Sequence, residues 1–270
     1  MCRMFAYAGS SREELERLVS ALQEAAKRDP IAEKAHLRKS IHSDGWGYAM
    51  YSDRKLTYHR SGRPIFEEGI VLPPTGGRML AIFHARQASV GNPRGEKFSH
   101  PFCSDAEDGL ILLAHNGTLD KGKLARRLRF DGDLGDITDS ELVLKYAARM
   151  GLAAASTDLK DCTKPNSALD LLALEVRTDG RAEVFVNHFY RETRGGFDRA
   201  KYYELYQQSF PRGTAVFSST LSYYGFSGRP IGHDGLVSLS TLERAQVTVG
   251  RKSGTPEEYT RPFPTRTTKQ

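Results

Sequence analysis

Hydrophobic and polar positions first alternate over residues 2–8 and stop at Gly9-Ser10-Ser11, which predicts a short strand followed by a helix start. Ser10 or Ser11 supplies the N-cap, Glu13 and Glu14 fall in the first turn, and Leu15, Leu18, Val19 and Leu22 recur at helical spacing. Lys27-Arg28-Asp29-Pro30 ends that helix, since basic residues suit a last turn and proline stops it. Period-two patterns then predict strands over 45–51 and 56–59 about a turn at Ser52-Asp53. Apolar runs of strand length follow at 79–84 and 110–114. Between them, residues 91–102 carry prolines, glycines and charges and read as a loop.

Helical spacing returns over 121–129 and 140–150. The second stretch opens on Asp136-Ile137-Thr138-Asp139-Ser140-Glu141, whose acids suit the positive end of a helix. Runs at 172–176 and 182–188 flank Thr178-Asp179-Gly180, a hairpin signal. Shorter strand patterns occupy 215–218, 236–239 and 246–249. Many strands, few helices, no internal repeat and no linker predict an α+β fold, with sheets packed together and helices flanking them. One domain is expected over 1–253, followed by a polar tail over 254–270.

Composition narrows the class. A chain of 270 residues can bury a sizeable core without staples. Its three cysteines, Cys2, Cys103 and Cys162, make no disulfide framework and point to a reducing, cytoplasmic setting. The first helix is charged, so no signal peptide is expected, and no apolar run approaches the roughly 20 residues of a membrane span. The net charge of +6 is spread over the chain, without the long basic run or motif of a nucleic-acid binder. Contacts to an anionic small molecule remain open.

Cys2 is the first chemical feature. If Met1 is trimmed, one residue carries both a thiol and an α-amine, whose ordinary pKa is about 7.7–8.0. A nucleophile activated by its own amine is then available; the alternative is a small hydrophobe in the core. Asn116-Gly117 reads either as a hairpin turn or as two oxyanion donors. Arg86 either makes a surface ion pair or grips a carboxylate, with Ser89 as an extra donor. Asp139 suits a helix start and, turned outward, an ammonium group. Trp46, among Gly45 and Gly47, is expected to shape a pocket floor. His42, Asp44, His84, His100 and His115 match no compact zinc spacing, and there is no phosphate-loop or dinucleotide glycine pattern. No metal or cofactor is expected.

The order of these pieces carries more than any one. Cys2-Arg3, His42-Ser43-Asp44-Gly45-Trp46-Gly47, Phe83-His84-Ala85-Arg86-Gln87-Ala88-Ser89, Ser99-His100-Pro101-Phe102, His115-Asn116-Gly117 and Thr138-Asp139-Ser140-Glu141 together resemble the class II glutamine amidotransferases, which are N-terminal nucleophile hydrolases. The similarity covers about residues 2–150 and extends more loosely to Val216-Phe217-Ser218-Ser219. It implies a four-layer αββα fold of two mainly antiparallel sheets. It implies Cys2 as nucleophile, Asn116 and Gly117 as oxyanion donors, Arg86 on the substrate α-carboxylate and Asp139 on its α-ammonium. Ser89 and His115 join the substrate side, and Arg3, His42, Asp44, Trp46, His84 and His100 support it.

The activity so implied is cleavage of the γ-amide of glutamine through a γ-glutamyl thioester on Cys2, releasing ammonia and glutamate. Gln87 and Ser89 depart from the aromatic and threonine usual in the large synthases and suit short, stand-alone members. No synthase domain fits in this length, so ammonia would pass to a separate acceptor subunit or leave. Hydrolysis of a γ-glutamyl peptide or γ-glutamyl thiol conjugate is the alternative activity. A regulatory or binding subunit on the same fold is the non-enzymatic one.

Overall fold

The computed structural model describes residues 2–37, 39–89, 91–192 and 197–242. Met1, the strand expected at 246–249, the domain limit at 253 and the polar tail lie outside them.

In chain order the elements are β1 (Arg3–Gly9), α1 (Arg12–Lys27), α2 (Pro30–Lys34), β2 (Trp46–Ser52), β3 (Lys55–Ser61), β4 (Met79–Ala85), β5 (Phe102–Ala106) and β6 (Gly109–Gly117). Then come α3 (Lys121–Leu128), α4 (Asp139–Met150), α5 (Leu152–Asp158), β7 (Ser167–Arg177), β8 (Ala182–His188) and β9 (Tyr190–Arg191). The last are α6 (Phe197–Tyr203), β10 (Leu205–Phe210), β11 (Gly213–Ser218), β12 (Arg229–Pro230) and β13 (Gly235–Ser238).

One sheet runs β12-β10-β11-β1-β4-β2-β3, and a second runs β13-β8-β7-β6-β5 with β9 on β7. The strand pairings are antiparallel. Strand alternation sorts side chains into three buried layers. Phe5, Tyr7, Trp46, Tyr48 and Phe83 face α1 and meet its Leu15, Leu18 and Leu22. Met4, Ala6, Ala8, Ile82, Leu112, Ala114, Leu172 and Val186 fill the space between the sheets. Ile111, Leu113, Leu169 and Leu171 face the far side, where α3, α4 and α5 cover them through Leu124, Leu142, Val143 and Ala155. Each fully buried Leu, Val or Phe favours the folded chain by about 1.5–3 kcal/mol. The result is the expected α+β arrangement, helix on sheet on sheet on helix.

One boundary differs from expectation. Pro30 does not simply stop α1; it occupies the first turn of α2, where its missing N–H costs nothing. Asp29 caps that short helix, accepting from the Ile31 and Ala32 amides. Strand β5 begins where the predicted loop 91–102 ends, and α5, α6 and β10 lie in stretches whose sequence carried no clear period.

Candidate active site

Alternation along β1 decides which way the first residues face. Even positions enter the layer between the sheets and odd positions turn toward the helices, so Cys2 and Arg3 serve opposite faces. Cys2 is buried, at 6 % exposure. Its backbone nitrogen donates to Asn116 Oδ1 at 2.9 Å, and its Sγ lies 3.8 Å from the Gln87 carbonyl oxygen. Burial alone would push the thiol up. The positive amino terminus, the neighbouring His84 ring and the Gln87 backbone outweigh it and hold the thiol well below its ordinary value of 9.0.

Asn116 and Gly117 are not a hairpin turn. They end β6 in register with Asp170 and Leu169 of β7. Gly117 is required there: its φ is +153°, and a Cβ would lie 1.8 Å from the Ala168 carbonyl oxygen. Asn116 Oδ1 is engaged by Cys2, whereas its buried Nδ2 has no hydrogen-bond partner among the described residues.

Arg86 follows β4 and is not a surface residue, being 3 % exposed. Its main chain is pinned by two bonds, Arg86 N to the Gly45 carbonyl at 2.8 Å and Asp44 N to the Arg86 carbonyl at 3.0 Å. Nη2 donates to the Pro93 carbonyl at 2.9 Å. Nη1 is buried and has no partner among the described residues. Asp44 fastens the same segment, accepting from Ala88 N at 2.9 Å and pairing with Arg94 at 3.1 Å.

Asp139 opens α4, with Thr138 as the N-cap. Its Oδ2 accepts from Leu119 N at 2.8 Å and its Oδ1 from Ser140 N at 3.0 Å. The helix-start use is realised, because the carboxylate tightens the turn, and the same side chain borders the cleft. His115 Nδ1 bonds Ser140 Oγ at 2.9 Å, and burial lowers its pKa.

A narrow cleft brings together Cys2, Arg86, Ser89, His100, His115, Gly117 and Asp139. Its free volume of about 20 Å³ admits a water molecule. His84 stands behind it, its ring 4.2 Å from that of His100. Burial pushes His100 well below its ordinary value. Trp46 does not shape the floor: it faces the α1 side, where Nε1 donates to Glu68 Oε2 at 2.8 Å. The register of β2 on β4 sets it opposite Ala85, on the face away from Cys2.

Arg3 anchors a buried network on the other face. Its Nε meets Asp29 Oδ2 at 2.5 Å, Nη1 donates to the Tyr202 carbonyl at 2.8 Å, and the guanidinium lies 3.6 Å over the Tyr202 ring. His42 Nε2 bonds the same Asp29 oxygen at 2.9 Å, and Thr220 donates to the other at 2.8 Å. Burial disfavours the Asp29 charge, but Arg3 and His42 overcome this and hold the carboxyl far below its ordinary range. The sequence reading missed Asp29, Tyr202 and Thr220. The Asp29-Pro30 pair was the available signal, since it is an N-cap followed by an N1 proline.

The family model described as glutamine amidotransferases class-II matches residues 32–188, which include Arg86, Asn116 and Asp139 and start after Cys2. A gamma-glutamyl-hercynylcysteine sulfoxide hydrolase of Mycolicibacterium smegmatis is 28 % identical over 179 residues, 64 % of this chain and 74 % of that protein. Among solved structures, glutamine phosphoribosylpyrophosphate amidotransferase from B. subtilis superposes with a TM-score of 0.57 at 17 % identity. The match covers 88 % of this chain and 48 % of that one. An allosteric regulatory enzyme of purine biosynthesis gives a TM-score of 0.56 at 19 % identity, covering 87 % and 48 %. The chain thus spans about half the length of these two structures, which share its fold. With more than half of its residues matched by the family model, and with the two-sheet architecture those structures share, this chain belongs to the class II glutamine amidotransferases.

Proposed function

We propose that the protein is a Cys2-dependent amidohydrolase that cleaves the γ-amide of glutamine. One observation carries this reading: two buried donors, Asn116 Nδ2 and Arg86 Nη1, lie near the Cys2 thiol and lack partners among the described residues. Leaving such groups unsatisfied costs about 1–3 kcal/mol each, more for a charged one. A substrate that supplies an oxyanion to the first and a carboxylate to the second would remove that cost.

In the mechanism, Arg86 and Ser89 hold the α-carboxylate and Asp139 holds the α-ammonium. His115, by fixing Ser140, keeps the α4 start in place. The Cys2 thiolate attacks the γ-carbonyl carbon, and the developing oxyanion takes hydrogen bonds from Asn116 Nδ2 and the Gly117 N–H. The C–N bond then breaks and the departing nitrogen takes up a proton, leaving a γ-glutamyl thioester. Water adds to the thioester, the C–S bond breaks, and glutamate and the free thiol result. With Met1 removed, the nitrogen now donating to Asn116 becomes the α-amine that relays these protons. His100 lines the wall with His84 packed behind it, Asp44 fastens the segment that carries Arg86, and Arg3 with His42 holds the strand next to Cys2.

A second reading shares the machinery and changes the leaving group, from ammonia to the amine of a γ-glutamyl peptide or γ-glutamyl thiol conjugate. The name of the M. smegmatis relative, a hydrolase of such a conjugate, favours it. Glutamate release should be measured from glutamine and from a panel of γ-glutamyl compounds. Faster turnover of glutamine supports the first reading, and preference for a conjugate supports the second. Failure to release glutamate from any of them would reject both. Intact mass shows whether Met1 is retained, which would block the amine. A separate acceptor subunit for ammonia belongs to the first reading only.

A further inference from the structure

The strand partner of Asn116 is Asp170, a carboxylate inside an otherwise apolar strand, Ala168-Leu169-Asp170-Leu171-Leu172. Asp170 shares the parity of Leu172 and Leu174, and Asn116 that of Leu112 and Ala114, so both point into the layer between the sheets. Directly opposed residues of antiparallel strands have Cβ atoms about 4.5–5.5 Å apart. Asp170 is fully buried. Its Oδ1 bonds His188 Nδ1 at 2.7 Å, and its Oδ2 has no partner among the described residues. Asn116 Nδ2 is an unpartnered donor on the neighbouring strand, and Asp170 Oδ2 an unpartnered acceptor.

We infer that Asp170 is a positioning residue for the oxyanion donor: its free oxygen takes one N–H of the Asn116 amide, across a small side-chain rotation or one intervening water, and so keeps the NH2 end turned inward. The inference rests on the oxyanion role proposed for Asn116. An amide has two nearly isosteric ends, and presenting its oxygen to an oxyanion would be repulsive. An ionised carboxylate accepts only, so it selects the nitrogen end. The Cys2 nitrogen, which donates, selects the oxygen end for itself. Burial pushes the Asp170 carboxyl up, and His188, bonded from the opposite side, counters this and pairs the charge.

The test is a double-mutant cycle on the full chain with Asp170→Asn, Asn116→Ala and the pair, following glutamate release. Asp170→Asn should lower kcat at least about tenfold with KM within about twofold, less than the ~10²–10³ expected for losing the donor itself. In the Asn116→Ala background it should add nothing, because there is no amide left to orient. Equal proportional losses in both backgrounds, or no loss in either, overturn the inference. Full activity of Asn116→Ala overturns the oxyanion reading instead, so the two failures are distinct. Should Asp170→Asn not fold, His188→Gln replaces it. A loss of kcat that vanishes with Asn116→Ala supports the inference, and one that persists overturns it.

Discussion

The two faces of the first strand differ in what their polar groups are arranged around: a saturated carboxylate on one side, beside which Arg3 Nη2 and the Tyr202 hydroxyl lack partners among the described residues, and two open donors near a thiol on the other. On the helix side, Asp29 gathers Arg3, His42, Thr220 and two backbone amides around one carboxylate. On the cleft side, Asn116 and Arg86 each leave a buried nitrogen without a partner among the described residues. A carboxylate bonded that thoroughly has little capacity left for a ligand and works as a brace for the residue next to Cys2. In the proposed mechanism the open donors of Asn116 and Arg86 face the substrate, whereas Arg3 Nη2 is enclosed with Asp29 and Tyr202. Residues one position apart in sequence therefore belong to a structural face and to the face on which the proposed chemistry takes place.

The largest effects should separate those faces cleanly. Cys2→Ala should abolish glutamate release and leave the melting temperature near that of the parent, because Cys2 contributes one small side chain at the edge of the layer. Labelling by the glutamine analogue diazo-oxo-norleucine should be stoichiometric in the parent and vanish in the variant. Substantial turnover by Cys2→Ala would undo the mechanism. Asp29→Ala should behave in the opposite sense. It strands the buried Arg3 charge and should destabilise the chain by about 3–5 kcal/mol, read as a lowered urea midpoint. A loss below about 1 kcal/mol would mean the network is not the brace described here.

An intermediate effect concerns Arg86. Lysine keeps the charge but not the planar fork that bonds the Pro93 carbonyl and reaches into the cleft. Arg86→Lys should raise KM for glutamine about tenfold or more, at the 1.4 kcal/mol per decade of lost binding. Its kcat should move less. A fall in kcat with KM unchanged would place Arg86 on the reaction rather than on the α-carboxylate.

The reactive face was more legible than the brace, for a physical reason. Cys2, Arg86, Asn116-Gly117 and Asp139 are unusual residues at element ends, and their order along the chain identifies a family. The network around Asp29 depends on contacts between residues 3, 42, 202 and 220, which no local pattern encodes. Local chemistry misled three times. Asn-Gly favours a turn, but pairing with β7 carries β6 through it. Pro30 looked like a stop because a helix end and a helix start use the same residues. Trp46 was misplaced because flanking glycines report close backbone approach and not which face a ring takes. Asp170 was readable as a lone charge in an apolar run, an anomaly that β-pairing alone makes meaningful.

The smallest predicted effect is on the pH dependence of stability, where both faces act together. Burial lowers His42 in the brace and His100 and His115 at the cleft below their ordinary value of 6.5. In each case the unfolded chain binds more protons just below that value. Their contribution to stability is thus complete above pH 6.5 and declines as the pH falls toward each folded value. His188 opposes them: Asp170 outweighs its burial and raises its pKa, so its contribution is complete below 6.5 and fades as the pH rises through the folded value. Asp29 adds nothing between pH 7 and 5, since its loss begins only below about 3.8, its ordinary value. Burial also raises the Asp170 carboxyl above its ordinary 3.8, so it acts in the same sense as His188; with three lowered histidines set against this one pair, the urea midpoint should fall between pH 7 and pH 5. His100→Asn should flatten that fall, since it removes one of the lowered rings. A midpoint that rises on acidification would show that the Asp170–His188 pair outweighs the three buried neutral rings and would reverse the assignment of which face sets the acid limit.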